Sequence, residues 1–419
     1  MTIKAIKGTR DIFGAEAAAL RRIEGLIHDT CLSFGFGEIR TPVFEETELF
    51  VRSSGEDTDV VSKQMYSFTS KSGKSLTLKP EGTAPVVRAF MEHSLYAAPQ
   101  PTKLYYLTPC FRYEQPQSGR QRQFHQFGAE VFGAASPSAD AEVISLAHTL
   151  LEALNITNTT LYINSLGTPQ SRKAYTASLT AFLQTREEGL CKTCQTRLHT
   201  NPLRVLDCKE MACASIAEQS PSILASLDSV SAEHFKRLQR LLSGLGIAFE
   251  INERIVRGLD YYTRTVFEFV SGNLGAQSTV CGGGRYDALV EQMGGPATPA
   301  VGFGLGMERL LLAASSEKSP PPSADVFLGY IGEAGFYTAH TLTGKLRKAG
   351  LSTETDNLER SVKAQLKYAN KIGAHYCAII GDEEVASQAL RLKDMANSTE
   401  QLLPFDAIAQ HIISMRGEG

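Results

Sequence analysis

The sequence predicts an α+β protein built in several parts, and three observations carry that expectation. Two strand-like segments, LYYLTPCFRYE and QFHQFGAEVFG, flank the polar stretch QPQSGRQR, punctuated by Pro and Gly, as in an antiparallel hairpin. From about Thr168 to Phe249 the chain turns polar and mostly helical, which suggests a domain inserted between two pieces of a larger one. Beyond EKSPPPS (Glu317 to Ser323), a linker by composition, ADVFLGYIG, LSTET and AHYCAIIG alternate with helical patterns and predict a small α/β domain.

The elements follow in order. Leu20, Ile23, Leu26, Ile27, Cys31 and Phe34 recur at helical spacing, and Gly35 and Gly37 stop that helix. EIRTPVFEE is extended, with Pro42 suggesting an edge or an interface position. A helix carries Val86 and Val87, another runs from about Ala139 to Leu154, and LYINSLG reads as a strand. After the helical stretch, strand character resumes in TVFEF, followed by a glycine-rich turn, CGGGRYD, and by AVGFGLG running into MERLLLAA. The boundaries expected are 1–167 and 250–319 for the main domain, 168–249 for the insert and 324–419 for the C-terminal domain. There are no internal repeats.

With 419 residues, 42% hydrophobic and 21% charged, the chain is long enough for two or three domains with substantial cores. A net charge of -3 gives no global sign of a nucleic-acid binder, though local basic patches can do that work. MTIKAIKGTRDIFG lacks the apolar core of a signal peptide, and no apolar run is long enough to cross a bilayer. Eight cysteines in such a chain read as cytosolic thiols or metal ligands, so a cytoplasmic protein is expected. CKTC followed by CKEMAC spaces Cys191, Cys194, Cys208 and Cys213 compatibly with a four-thiolate zinc site; small buried cysteines are the other reading.

Four segments offer side chains suited to an anionic, phosphate-bearing ligand. In LKPEGTAPVVRA, Glu81 and Thr83 flank Gly82, so a carboxylate and a hydroxyl can approach a ligand; a helix-capping turn is the alternative. On the second strand of the hairpin, period two puts Phe124, Gln126 and Glu130 on one face, near Arg112, Arg120 and Arg122. That set makes a poor core and a good pocket, against the alternative of a solvated hairpin. In RGLDYYTRTVFEF, long polar side chains at a strand entry fit a bound ligand or a salt bridge from Arg257 to Asp260. In VGFGLGMERLLL, Gly302, Gly304 and Gly306 share a strand face, either as a floor for a base or ribose or as room for a packed helix. Arg309 then opens a helix, where phosphate is electrostatically welcome.

These segments, together with KGTRDIFG, IRTPVFE, CGGGRYD and ERSVKAQLKYANKIGA, resemble in order those of the histidyl-tRNA synthetase family of class II aminoacyl-tRNA synthetases. The match covers nearly the whole chain, and RGLDYYTRTVFEF is specific to that family. The resemblance implies an antiparallel sheet flanked by helices, an inserted domain and a C-terminal anticodon-binding domain, assembled as a homodimer. It implies an ATP-dependent ligase of protein biosynthesis that joins histidine to histidine tRNA through histidyl-adenylate. By the same resemblance Glu81, Thr83 and Gln126, with Gly82 between the first two, take the α-amino end of histidine. Glu130 and Tyr262 meet the imidazole, and Tyr261 and Tyr286 line the pocket. Arg257 bridges the histidine carboxylate and the α-phosphate, with Arg112 also on that phosphate, and these two arginines are the catalytic pair. Phe124 stacks on adenine, Arg120 and Arg309 hold the outer phosphates and base, and Asp260 orients a neighbouring arginine.

Magnesium accompanies ATP through phosphate oxygens and water, so no dedicated metal ligands are expected in the pocket. The family as a whole does not depend on zinc. His125 alternates away from Phe124 and Gln126 and is structural. Gln115 departs from the arginine of many bacterial members, which alters the contact to the tRNA acceptor end; Gln117 is a substitute. The competing reading is a non-catalytic regulatory subunit of ATP phosphoribosyltransferase, which lacks the intact RGLDYY segment and the anticodon-binding domain. In the C-terminal domain Arg360, Lys363, Lys367 and Lys371 form one helix face suited to tRNA or to solvent, with Val362, Leu366, Ala369 and Ile372 expected inward.

Overall fold

The computed structural model describes residues 2–55, 58, 60–117, 119–256, 261–272, 279–314 and 323–416. The chain divides into two compact units, Met1–Phe13 with Ala19–Lys318 and Gly14–Ala18 with Ser319–Gly419. The first part of the chain contains α1 (Gly14–Ser33), β1 (Gly37–Glu38), β2 (Phe44–Glu46), α2 (Thr47–Ser54), β3 (Tyr66–Thr69) and β4 (Ser75–Leu78). Next come α3 (Thr83–Glu92), β5 (Thr102–Phe111), β6 (Gln123–Phe132), α4 (Pro137–Ala153) and β7 (Thr159–Ser165). Four helices follow: α5 (Pro169–Gln184), α6 (Lys192–Thr200), α7 (Met211–Glu218) and α8 (Ser229–Gly244). The unit finishes with β8 (Glu250–Ile251), β9 (Thr263–Ser271), β10 (Thr279–Arg285), α9 (Leu289–Gln292), β11 (Ala300–Gly306) and α10 (Met307–Ala313). Helix starts carry local signals: Ser136 caps α4 and Thr168 caps α5, each followed by proline at the first helical position.

Among the described residues, eight strands form one sheet in the order β1-β5-β6-β11-β10-β9-β7-β8. It is antiparallel except for its outer pairs, β1 with β5 and β7 with β8, which are parallel. Side-chain alternation sorts its two faces. Phe127, Ala129 and Val131 of β6, with Val301, Phe303 and Leu305 of β11, join a core that includes residues of α1, α4, α8 and α10. The intervening residues Gln126, Gly128, Glu130, Gly302 and Gly304 therefore face the other way, and β6 and β11 pair Glu130 with Gly302 and Gln126 with Gly306. On that second face Tyr106, Phe132, Val266 and Tyr286 share a cluster with α3, α5, α6 and α7.

The smaller unit holds β12 (Val326–Tyr330), α11 (Gly332–Lys348), β13 (Thr353–Thr355), α12 (Val362–Lys371), β14 (Tyr376–Ile380), α13 (Asp382–Ser387), β15 (Ala389–Asp394), β16 (Glu400–Pro404) and α14 (Ile408–Arg416). Its strands order as β13-β12-β14-β15-β16, the first three parallel and the rest antiparallel. The expected inward stripe of α12 needs correction. Leu366 is 41% exposed, while Gln365 is 1% exposed. Gln365 accepts from the Tyr330 N–H at 2.9 Å and donates to the carbonyls of Tyr330 and Arg360, closing the end of β12. That polar demand turns the helix away from its most apolar orientation. Arg360 precedes the helix, pairs with Asp356 and stacks on Tyr368, so the exposed basic residues are Lys363, Lys367 and Lys371. Among the described residues no helix is long and apolar enough to cross a membrane.

A charge cluster centred on the fully buried Arg285 and Asp140 fastens α4 to the end of β10. The Arg285 guanidinium donates to Asp140 at 2.6 Å, to Asp287 at 3.0 Å, and to the carbonyls of Ala134 and Ser136. His234 of α8 meets the same Asp140 carboxylate at 3.2 Å. Burial would raise the Asp140 pKa, but the bond to His234 and the charge of Arg285 outweigh it and pull the group down to about 2. Asp140→Ala leaves Arg285 short of a counter-charge in a dry site and should destabilise the larger unit by about 3–5 kcal/mol. The loss is read as a lower denaturation midpoint at neutral pH.

Candidate functional site

Glu130 is 1% exposed and is met by three hydroxyl groups from three elements. Thr83, at the start of α3, donates to Oε1 at 2.9 Å, Tyr106 of β5 donates to Oε1 at 3.1 Å, and Tyr286 donates to Oε2 at 2.5 Å. Burial nonetheless dominates and pushes the Glu130 carboxyl up to about 8, against the pull of these donors. Space for this arrangement comes from glycine. A Cβ on Gly302 would collide with the Glu130 carboxylate, and one on Gly304 with the Gln126 amide. The glycine strand is thus the floor across which two polar side chains lie.

Glu81 serves the capping turn that the sequence offered as one of its two readings. Its two oxygens accept from the backbone N–H groups of Thr83 and Ala84, each at 2.7 Å, and it still lines the cavity. Burial raises its pKa, against those amides. Gly82 has another reason for being glycine: the Tyr106 ring occupies the places where Gly82 and Gly128 would carry a Cβ. Its N–H donates to Gln126 Oε1 at 3.0 Å.

The cavity holds about 230 Å³ and brings together Glu81, Thr83, Gln126, Tyr261 and Tyr262 with Arg112, Arg120, Phe124 and Arg309. Arg112 donates through Nε to the Pro80 carbonyl and its guanidinium lies over the Phe124 ring, 5.4 Å from the centroid. Arg309 bonds the carbonyls of Gly119 and Thr279, joining the hairpin turn to β10. Burial, then the neighbouring Arg120 charge, lowers the Arg309 pKa, as in a site crowded with positive charge. Three guanidiniums and an aromatic ring around one cavity suit a polyphosphate attached to a base.

Most of the expected residues meet here. Glu130, Tyr286 and Gly82 lie beneath the lining; Tyr286 touches Tyr261 edge to face, with centroids 5.6 Å apart. Arg257 and Asp260 lie outside the described residues, and so does the choice between a ligand contact and their mutual salt bridge. His125 is structural, as its alternation implies: its backbone N–H and ring both meet Glu308. Sequence reasoning missed Glu114, Glu308 and Tyr106. Glu114 sits two residues after Arg112 and Glu308 just before Arg309, so both stood next to named arginines. Tyr106 shares strand parity with Cys110, and its only sequence signal was a large ring facing glycine across the hairpin. One oxygen of Glu114 is buried 3.0 Å from Arg120 Nε without hydrogen-bond alignment to it.

Comparison with known proteins bears on this geometry directly. Residues 8–310 match the family model for histidyl-tRNA synthetase, and residues 325–415 match that for an anticodon binding domain. The chain belongs to the histidyl-tRNA synthetase family. The histidine--tRNA ligase of Thermoanaerobacter pseudethanolicus is 52% identical, covering 98% of this chain and 99% of its own. That of Caldanaerobacter subterraneus is 50% identical, covering 98% and 100%. A crystal structure of apo S. aureus histidyl-tRNA synthetase superposes with a TM-score of 0.82 at 36% identity, covering 98% of this chain and 100% of that one. A Bacillus halodurans structure described as an ATP phosphoribosyltransferase regulatory subunit/histidyl-tRNA synthetase shares the fold at 20% identity, with a TM-score of 0.68 over 91% of this chain and 98% of its own.

In this family member the buried carboxyl has a measurable signature. Folding raises the Glu130 pKa from 4.5 to about 8, so the folded chain keeps a proton that the unfolded chain releases between those values. Stability from this group is therefore full below about 4.5 and is lost as pH rises through about 8. Glu130→Gln has no such proton to lose. Its denaturation midpoint should gain on the wild type as pH rises through that window, then hold a constant offset; parallel profiles would contradict the assignment.

Proposed function

We propose that this chain is a histidine–tRNA ligase that forms histidyl-adenylate from histidine and ATP and passes the histidyl group to the 3′-terminal adenosine of histidine tRNA. The observation carrying this reading is a buried carboxyl with converging tyrosines beside an arginine-lined cavity, in a chain whose full-length relatives are histidine--tRNA ligases. The regulatory-subunit reading is not favoured, because the curated relatives at 50–52% identity carry the ligase name and span nearly the whole chain.

Glu81 has two oxygens engaged by backbone amides and retains lone pairs for the α-amino group, beside the Thr83 hydroxyl and Gln126. Glu130 and the Tyr262 hydroxyl take the two imidazole nitrogens, with Tyr261 and Tyr286 packed around the ring. Phe124 stacks on adenine, Arg112 contacts the α-phosphate, and Arg120 and Arg309 hold the outer phosphates and the base. Arg257, carried by the family motif, bridges the histidine carboxylate and the α-phosphate. A carboxylate oxygen then attacks the α-phosphorus in line, its bond to pyrophosphate breaks, and the guanidiniums offset the charge that accumulates. In the second step the adenosine hydroxyl attacks the acyl carbon and AMP leaves. Magnesium bound with ATP would add to this charge neutralisation, and Glu114, which has a buried oxygen without a hydrogen-bond partner, is the carboxylate that would hold it there. The enzyme works as a cytoplasmic homodimer, with residues 168–249 as an inserted domain and 324–419 as the anticodon-binding domain.

ATP–pyrophosphate exchange with each of the twenty amino acids tests the reading, and histidine alone should support it. Glu130→Ala should cut exchange with histidine by up to about 10⁴-fold with little change in ATP affinity, because the ring loses its partner in a dry site. Exchange driven by another amino acid, or a variant with an unchanged histidine KM and kcat, would overturn it.

The exposed row of Lys363, Lys367 and Lys371 on α12 supports a backbone contact to tRNA. Charge reversal at Lys363 and Lys367 should weaken tRNA binding and flatten its salt dependence while leaving adenylate formation intact. Equal tRNA affinity at low salt would make this row a solvated face.

A further inference from the structure

Cys191, Cys194, Cys208 and Cys213 take no part in the chemistry described above. Among the described residues they are the one group of three or more metal-binding side chains whose ligand atoms converge. Their four sulfurs all lie within 4.8 Å of one another, and Cys191 and Cys208 are 3.9 Å apart. Four sulfurs at about 2.3 Å from a tetrahedral zinc ion sit about 3.8 Å apart, so the cage is close to the required size. All four are free thiols, and a disulfide would need a pair at about 2 Å.

Each side of the cage is built at a helix start. Cys191 caps α6 and Cys194 lies in its first turn, while Cys208 precedes α7 and Cys213 lies in its first turn. Amides at helix starts favour negative sulfur, and the Cys191 N–H already points at Cys213 Sγ from 3.2 Å. Cys194 and Cys213 are fully buried, with Leu190, Leu198, Val205, Leu206 and Ala217 in the same cluster, and the other two are half-buried. Cysteines serving only as small apolar fillers have no reason to gather four sulfurs from four chain positions around one point.

We propose that these four cysteines bind one structural zinc ion as thiolates. Each thiol releases its proton to solvent as its sulfur bonds the metal, with no change in oxidation state. Four protein ligands leave no open position, so the ion ties α6 to α7 and does no catalysis. The tie has a definite target. Lys192, Thr196, Arg197 and Arg204, on and just after α6, wall a cleft of about 740 Å³ whose other lining includes Arg112, Glu114 and Arg120 of the candidate site. The ion thereby fixes one wall of that cleft.

The test uses the full chain, purified without chelator from zinc-supplemented culture and analysed for metal. About one equivalent of zinc per chain is expected, falling to near zero in Cys194→Ser and Cys213→Ser. Metal-free wild-type chain titrated with cobalt should develop the intense visible absorption of a tetrahedral tetrathiolate site, bleached by added zinc. This second arm stands even where the serine variants do not fold. Near-zero zinc in the wild type together with no cobalt–thiolate absorption overturns the proposal, and so does full zinc retention in a folded Cys194→Ser variant.

Discussion

A carboxyl group with almost no access to water must find its hydrogen-bond donors within the protein, and at Glu130 that requirement sets the positions of three separate elements. Thr83 brings the first turn of α3, Tyr106 brings the middle of β5, and Tyr286 brings the chain leaving β10. Each hydroxyl that failed to arrive would leave a buried acceptor unsatisfied, at a cost of about 1–3 kcal/mol. Glycine makes the convergence possible, because Gly302 leaves the carboxylate its place on the neighbouring strand. The donors that support the carboxyl are thus also the framework of the cavity above it.

A second buried network supports this one from behind. Arg285 immediately precedes Tyr286, and its guanidinium is held by Asp140, Asp287 and two carbonyls. The tyrosine that reaches Glu130 therefore emerges from a backbone anchored to α4, and α8 joins through His234. Buried ion pairs contribute little net stability compared with well-packed apolar groups, but they tolerate few alternative arrangements. At this position geometry matters more than stability, since the Tyr286 hydroxyl has to arrive within hydrogen-bond range.

Much of the site is legible in the sequence because strand parity is a local property. Period two along β6 is enough to put Phe124, Gln126 and Glu130 on one face, and the same count sets Gly302 and Gly304 opposite them. The hairpin, the alternation after the proline-rich linker and most helices follow from equally local patterns. What parity cannot supply is the partner across a fold. Gly82 reads as room for a ligand, yet the space beside it belongs to the Tyr106 ring. Arg285 reads as part of a glycine-rich turn because Asp140 and His234, far away in the chain, give no local sign. On α12 apolar periodicity favours burying Leu366, but the end of β12 needs a polar side chain, and Gln365 takes the inward position instead. In each case a requirement from another element overrides the local pattern.

The Tyr106 ring, wedged between Gly82 and Gly128, links three positions that are distant in the chain. Neither glycine can acquire a side chain while the ring stays, and removing the ring deprives Glu130 of a donor even as it makes room. The three positions must therefore change together or not at all. A mutational library that varies them singly will find each intolerant and will misjudge the space available. Reshaping this pocket for a different amino acid would begin with that triple as one unit, with the replacement for Tyr106 chosen to bring its own hydroxyl or to arrive with an apolar partner for residue 130.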